Sequence, residues 1–214
     1  MFEASRDLIW DEYTADRYRA MCELLRQAST RDAVVLDLGA GREAVSAQLA
    51  CGLRVLLDVV RQTAPSVICN FTDSLPLSDN SVDVAIAGEI LEHITESHRF
   101  LGEVRRVLRN GGYLVLSVPN IVSLKYRIAF LLGRIPAMAA KADYTYSPDN
   151  PAYPRGHVRD YSFGELRRVL SDCGFVIVAE RGIGMHWHGR RVLPPWLMPV
   201  TLSDNAIVKA LLRK

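Results

Sequence analysis

Two glycines, Gly39 and Gly41, stand one residue apart directly after the run Val34-Val35-Leu36-Asp37-Leu38. Glycines so placed let the backbone turn sharply, and let a ligand approach it with no Cβ in the way. A strand running into such a turn and then into a helix reads as a ligand loop at the carboxyl end of a strand. A second acid, Asp58, ends the next apolar run, Arg54 to Leu57. It lies roughly 20 residues past the first glycine, the distance at which a dinucleotide-type unit places the carboxylate that accepts from ribose hydroxyls. A third group of polar residues is Glu89, Glu92 and His93. On one helical turn they fall at i, i+3 and i+4 and converge, a donor set suited to a divalent ion. The alternatives are a ligand-facing turn with His93 at the reacting centre, or a capped helix with solvated carboxylates.

The elements that must position these groups follow from apolar periodicity. Strands are expected at Val34 to Leu38, Arg54 to Leu57, Ser66 to Cys69, Val84 to Ala87, Tyr113 to Val118 and Phe175 to Ala179. Helices are expected at Phe2 to Gln27, Ala44 to Ala50, Ser97 to Leu108, Gly164 to Ser171 and, capped by Ser203, at the C-terminus. Alternating strands and helices require crossover connections, hence parallel pairing. The fold class is therefore α/β: a Rossmann-like, doubly wound, mostly parallel sheet.

The stretch Ile121 to Pro136 reads as a helix inserted after strand five. Ile121, Leu124, Ile128, Leu131 and Leu132 form one apolar stripe, and Val122, Tyr126 and Phe130 a second patch. It either roofs the site or offers one side to a membrane surface or lipid tail. From Tyr144 to Arg159 the chain has no period and reads as an active-site loop containing Tyr144, Tyr146, Tyr153 and His157. In the tail, His186 and His188 read as part of a loop or strand, with a metal at an exposed edge as the alternative.

Composition narrows the class. The 214 residues are 49% apolar and 23% charged with a net charge of +2, which is ordinary globular composition and too little charge to argue for nucleic acid. One domain over 1–214 is expected, with a helical cover at 1–30, an insertion at 121–160 and a tail at 181–214. Cys22, Cys51, Cys69 and Cys173 are widely spaced. They suggest neither a disulfide framework nor a zinc site, and fit a reducing cytoplasm. The N-terminus lacks the pattern of a signal peptide.

The strand–Asp37–Leu38–Gly39–Ala40–Gly41 segment resembles motif I of the class I S-adenosylmethionine-dependent methyltransferases. The Glu89-Ile90-Leu91-Glu92-His93 stretch resembles a segment of small-molecule methyltransferases, which holds a divalent metal in quinone-pathway O-methyltransferases. The order of Pro119-Asn120, a Tyr-rich loop with His157, and Gly174-Phe175 resembles the methionine-biosynthesis W type within the type 11 branch. The resemblance implies S-adenosylmethionine as cofactor, contacted by Asp37, Gly39, Ala40, Gly41, Asp58, Asn70, Phe71 and Glu89. Asn70, with Asp73 as a rival, would receive the adenine amino group. It implies a last antiparallel strand from Gly182 to Trp187, and His93 or His157 as a general base where the acceptor is a hydroxyl. The acceptor would be a small molecule or a lipid- or glycan-linked one. The alternative is a catalytically weak protein of the same fold that regulates a partner enzyme.

Overall fold

The computed structural model describes residues 11–26, 31–41, 44–59, 67–70, 74–136, 146–147, 150–154 and 157–213. The described chain opens with α1 (Glu12–Arg26), then β1 (Val34–Leu38), β2 (Leu53–Asp58), β3 (Val67–Ile68) and β4 (Val82–Gly88). Next come α2 (Ser97–Val107), β5 (Leu108–Pro119), α3 (Leu124–Leu131), β6 (Tyr146–Ser147), β7 (Asn150–Pro154) and α4 (Phe163–Asp172). The chain ends with β8 (Phe175–Arg181), β9 (Met185–Trp187), β10 (Arg190–Leu193) and β11 (Asn205–Leu212).

Seven strands form one sheet in the order β3-β2-β1-β4-β5-β11-β8. The first five are parallel, and β11 is antiparallel to both neighbours, β5 and β8. The Rossmann-like, mostly parallel architecture with a helix inserted after the fifth strand is the one the alternation of elements requires. Residues of β11 alternate between two cores. Ala206, Val208, Ala210 and Leu212 join α2 and α4 on one face. Ile207 and Leu211 meet α1, through Met21, Leu24 and Leu25, on the other. Lys209 shares the α1 face, with Nζ donating to Leu24 O and lying 4.1 Å from the Tyr113 ring centroid.

Four expectations are corrected. The C-terminal helix after Ser203 is instead β11, an interior strand. Its near-continuous apolar run, buried on both sides, carries no period that separates a strand from a helix. The last antiparallel strand is also β11. The segment from Gly182 to Trp187 contributes instead β9, which pairs with β10 in a separate hairpin. Residues 44–50 form only a four-residue 3-10 turn, Val45–Gln48, preceded by an extended Ala44. No helix N-terminus therefore faces the glycine turn. Finally, the inserted helix is shorter than the expected Ile121 to Pro136: α3 spans Leu124–Leu131, and none of its residues is buried. Leu131 is 86% and Leu132 65% exposed, so its apolar stripe does not pack down onto the sheet.

Candidate active site

The carboxyl ends of β1, β2, β4 and β5 lie side by side, and the candidate residues gather there. Leaving β1, the chain turns at Gly39 (φ +63) and Gly41 (φ +59), both in the left-handed region that favours glycine. At Gly39 a side chain is doubly excluded, because a Cβ would run into the Ile90 side chain. The turn is tied to the next strand. Gly39 N donates to Leu57 O at 2.8 Å, and Gly41 N to Asp58 Oδ2 at 2.9 Å. Asp58, buried at the end of β2, thus sits beside the turn. Asn70, half-buried, follows β3. Phe71 and Asp73 lie outside the described residues.

Asp37, expected at the cofactor, is held by the chain after the turn. It is buried, and its Oδ2 accepts from Ser46 N at 2.8 Å, closing the turn from below. Burial pushes its carboxyl up to about 6, against the opposing hydrogen bond from Ser46. The structure therefore makes Asp37 a brace for the turn.

The Glu89-Glu92-His93 triad does not form as expected. Glu89 takes a left-handed conformation (φ +55), and the following turn, Leu91–His93, is 3-10. The helical spacing that would converge all three is absent. The Glu89 carboxylate instead accepts from Ser117 Oγ (3.1 Å), Asn205 Nδ2 (2.9 Å) and Tyr13 OH (3.5 Å), bracketing β4 to β5, β11 and α1. Glu92 and His93 find a different partner, His157. The three side chains place one ligand atom each within 4.8 Å of one another, a set that could hold a divalent ion. The two histidine rings meet edge to face at 5.1 Å. Glu92 O accepts from the Val158 and Arg159 amides, which pins the His157 segment beside it. Glu92 is 1% exposed, and neither carboxylate oxygen meets a hydrogen-bond donor among the described residues. Burial and the nearby Glu89 carboxylate hold Glu92 well above the usual carboxylate range.

A second polar group had no sequence signal. His186, expected in a loop or strand with an exposed-edge metal as the alternative, is buried between two aspartates. Its Nε2 is 3.0 Å from Asp16 Oδ2, and its backbone N donates to Asp204 Oδ2 at 2.6 Å. Lys125 Nζ, from α3, pairs with the same Asp204 oxygen at 2.8 Å. Lys125, His186 and Asp204, with Tyr13, Pro119 and Tyr126, line a cavity of about 190 Å³ at the end of β5. A narrow cleft lined by Glu92 and His157 shares Pro119 and Tyr126 with it. Of the loop tyrosines, Tyr144 lies outside the described residues. Tyr146 and Tyr153 fall in β6 and β7, whose side chains are also outside them.

Residues 36–116 match a family model described as a methyltransferase domain. A probable S-adenosylmethionine-dependent methyltransferase of Mycobacterium tuberculosis is 33% identical over 199 residues, covering 87% of this chain and 63% of that protein. The chain thus spans less than two thirds of that relative. The solved structure of a putative methyltransferase of Haloferax volcanii, in complex with the Trm112 methyltransferase activator, superposes with a TM-score of 0.62 at 16% identity. That match covers 94% of this chain and 92% of that one. The 1,6-didemethyltoxoflavin N1-methyltransferase of Burkholderia thailandensis, solved with S-adenosylhomocysteine, superposes at 0.59 with 19% identity, covering 94% and 79%.

The fold is that of a class I S-adenosylmethionine-dependent methyltransferase.

The matched segment, 36–116, contains the glycine turn, Asp58, Asn70 and the Glu89–His93 stretch. S-adenosylmethionine is the cofactor that accompanies this fold and family match. The donor set suits it: an open glycine turn with a buried carboxylate beside it at the end of β2. No comparison supports the methionine-biosynthesis W branch in particular. The residues that sequence reading missed, Asp16, Lys125, Asp204 and Asn205, come from α1, α3 and the start of β11, far apart in the chain. Among the described residues no helix is long and apolar enough to cross a membrane.

Proposed function

We propose that this chain catalyses methyl transfer from S-adenosylmethionine to an acceptor held over the ends of β4 and β5. The observation that carries this reading is the tie from Gly41 N to Asp58 Oδ2, which brings the glycine turn and the ribose-type acid together in one half-site. When bound, the cofactor supplies an electrophilic methyl group, which passes to the acceptor's lone pair while the sulfur keeps the electrons of the broken bond. The chain's part is alignment and water exclusion. Asp58 accepts from ribose hydroxyls, and the Asn70 carbonyl from the adenine amino group. The glycine turn leaves space for the remainder. Where the acceptor is a hydroxyl, its proton passes to the Glu92–His93–His157 cluster. Burial and the nearby Glu89 carboxylate raise Glu92, so it takes a proton more readily than an ordinary carboxylate.

A second reading keeps the fold and the cofactor but makes the chain a regulator of a partner enzyme. The pairing of the Haloferax volcanii protein with an activator lends that reading its interest. One experiment separates the two. Purified protein is incubated with methyl-labelled S-adenosylmethionine and a cell extract, and label is followed into small molecules and lipids. Protein-dependent labelling supports transfer; cofactor binding without any labelling supports the regulator.

A further inference from the structure

The polar cavity at the end of β5 continues into a second, apolar cavity of about 370 Å³. Lys125, Tyr126, His186 and His188 line both. Beyond them the wall is Ile128 and Ala129 from α3, then Leu132, Arg134, Ile135 and Pro136 after it, and Trp187 of β9, apolar but for Arg134. The larger cavity alone falls in the size range of small-molecule sites. Its apolar lining is otherwise hard to explain. No residue of α3 is buried, and Ile135 and Trp187 are 78% and 61% exposed. A contiguous apolar surface of this kind marks a binding site. The helix is held in place by polar means instead. Lys125 reaches Asp204 and His186 O, while Asn120 donates to Thr201 O and Ser203 O below the helix start.

We infer that this double cavity takes one amphipathic acceptor. Its polar end sits in the Tyr13–Lys125–His186–Asp204 cavity, and its hydrocarbon chain runs along α3 toward Ile135 and Trp187. The polarity gradient sets the orientation. The polar cavity reaches Pro119 at the sheet edge and adjoins the Glu92–His157 cleft, so the polar end is the one presented for methylation. This assignment rests on the methyl-transfer reading and narrows its substrate class to a polar group carrying a long apolar chain. Continuity with the polar cavity selects a single molecule entering the groove over a flat membrane surface or a second copy of the chain.

The test uses hexyl, octyl and decyl β-glucosides below their micelle concentrations, with glucose as control, titrated calorimetrically into the full chain. Each two-carbon extension is expected to tighten binding about tenfold, as the burial of two methylenes requires. The double variant Ile128→Asp/Leu132→Asp changes two exposed side chains, so it is expected to fold. It should abolish the chain-length dependence and leave S-adenosylmethionine affinity unchanged. Equal affinity along the series, or a dependence untouched by the double variant, overturns the assignment. So does binding to anionic vesicles that the variant abolishes while the monomeric glucosides show no dependence, or a dimer that dissociates in the variant. Failure of the cofactor reading shows separately, as absence of S-adenosylmethionine binding in the same unmodified protein.

Discussion

The two sides of the sheet edge are built in opposite ways. On the proposed cofactor side the site is backbone: the glycine turn donates from its amides, and the buried Asp58 that accepts from it sits only seventeen positions from Gly41. On the proposed acceptor side the site is side chains gathered from afar. Asp16 and His186 are 170 positions apart, and Tyr13 and Asn205 are 192. A backbone site tolerates little change at its turn residues and is written in a short contiguous motif. A site of distant side chains can alter its specificity by changing α3 or the β9–β10 hairpin while β1 to β4 stay as they are.

The largest effect on this contrast is expected at Gly39. In Gly39→Val a β-branched residue must adopt φ +63 and also meet Ile90. S-adenosylmethionine affinity is expected to fall about 100-fold or more, since left-handed strain alone is ~1–2 kcal/mol and the clash adds to it. Adding Ile90→Ala should recover only part of the loss, because it removes the clash and leaves the strain. Full recovery would mean that the turn's conformation matters little and would blur the distinction between the two sides.

Asp58→Ala comes next. Loss of charge-assisted bonds to ribose is expected to weaken cofactor binding by on the order of 1.5–3 kcal/mol, read by calorimetry. Unchanged affinity would remove Asp58 from the site.

Asp37 sharpens the comparison from below the turn. Its carboxyl titrates at about 6 in the folded chain against 3.8 ordinarily. For a raised carboxyl, the stabilising contribution is fully present below pH 3.8 and is lost as pH rises through about 6. The loss is at most ~3 kcal/mol. Asp37→Asn keeps an acceptor for Ser46 N and has no charge to bury. Its stability should therefore lack this component of the pH dependence in chemical unfolding between pH 4 and 7. Identical profiles for the two proteins would mean that Asp37 does not carry it.

The smallest expected effect on cofactor affinity, though not on turnover, comes from Glu92, His93 and His157. If they act as a base, Glu92→Gln lowers methyl transfer by ~10²–10⁴-fold with little change in cofactor affinity. Elemental analysis of the purified protein, and activity with and without chelator, distinguish this from a metal role. Full activity in chelator together with no bound ion removes the metal reading.

What was legible in the sequence follows the same division. The parallel strands, the glycine turn and the place of Asp58 at the end of β2 could be read because each lies in a contiguous run with its own period or spacing. Glu89 was misread as sharing one helical turn with Glu92 and His93, because a left-handed residue, which no pattern marks, breaks the helical spacing although its carboxylate stays near Glu92. The last strand was read as a helix because Ala206 to Leu212 is apolar throughout, apart from Lys209, and only its neighbours β5 and β8 decide its form. The clustering of His186 with Asp16, Lys125 and Asp204 has no local signal at all, since packing alone brings those four residues together.

The most direct test of the two-sided site is a nitrogen-15 amide correlation spectrum recorded while S-adenosylhomocysteine is added. The amides of Gly39, Ala40, Gly41 and Asp58 are expected to shift and saturate together, while those of Ile128, Leu132 and Trp187 stay in place. Shifts centred on α3 and β9, with the glycine turn unmoved, would contradict the assignment of the cofactor to the turn.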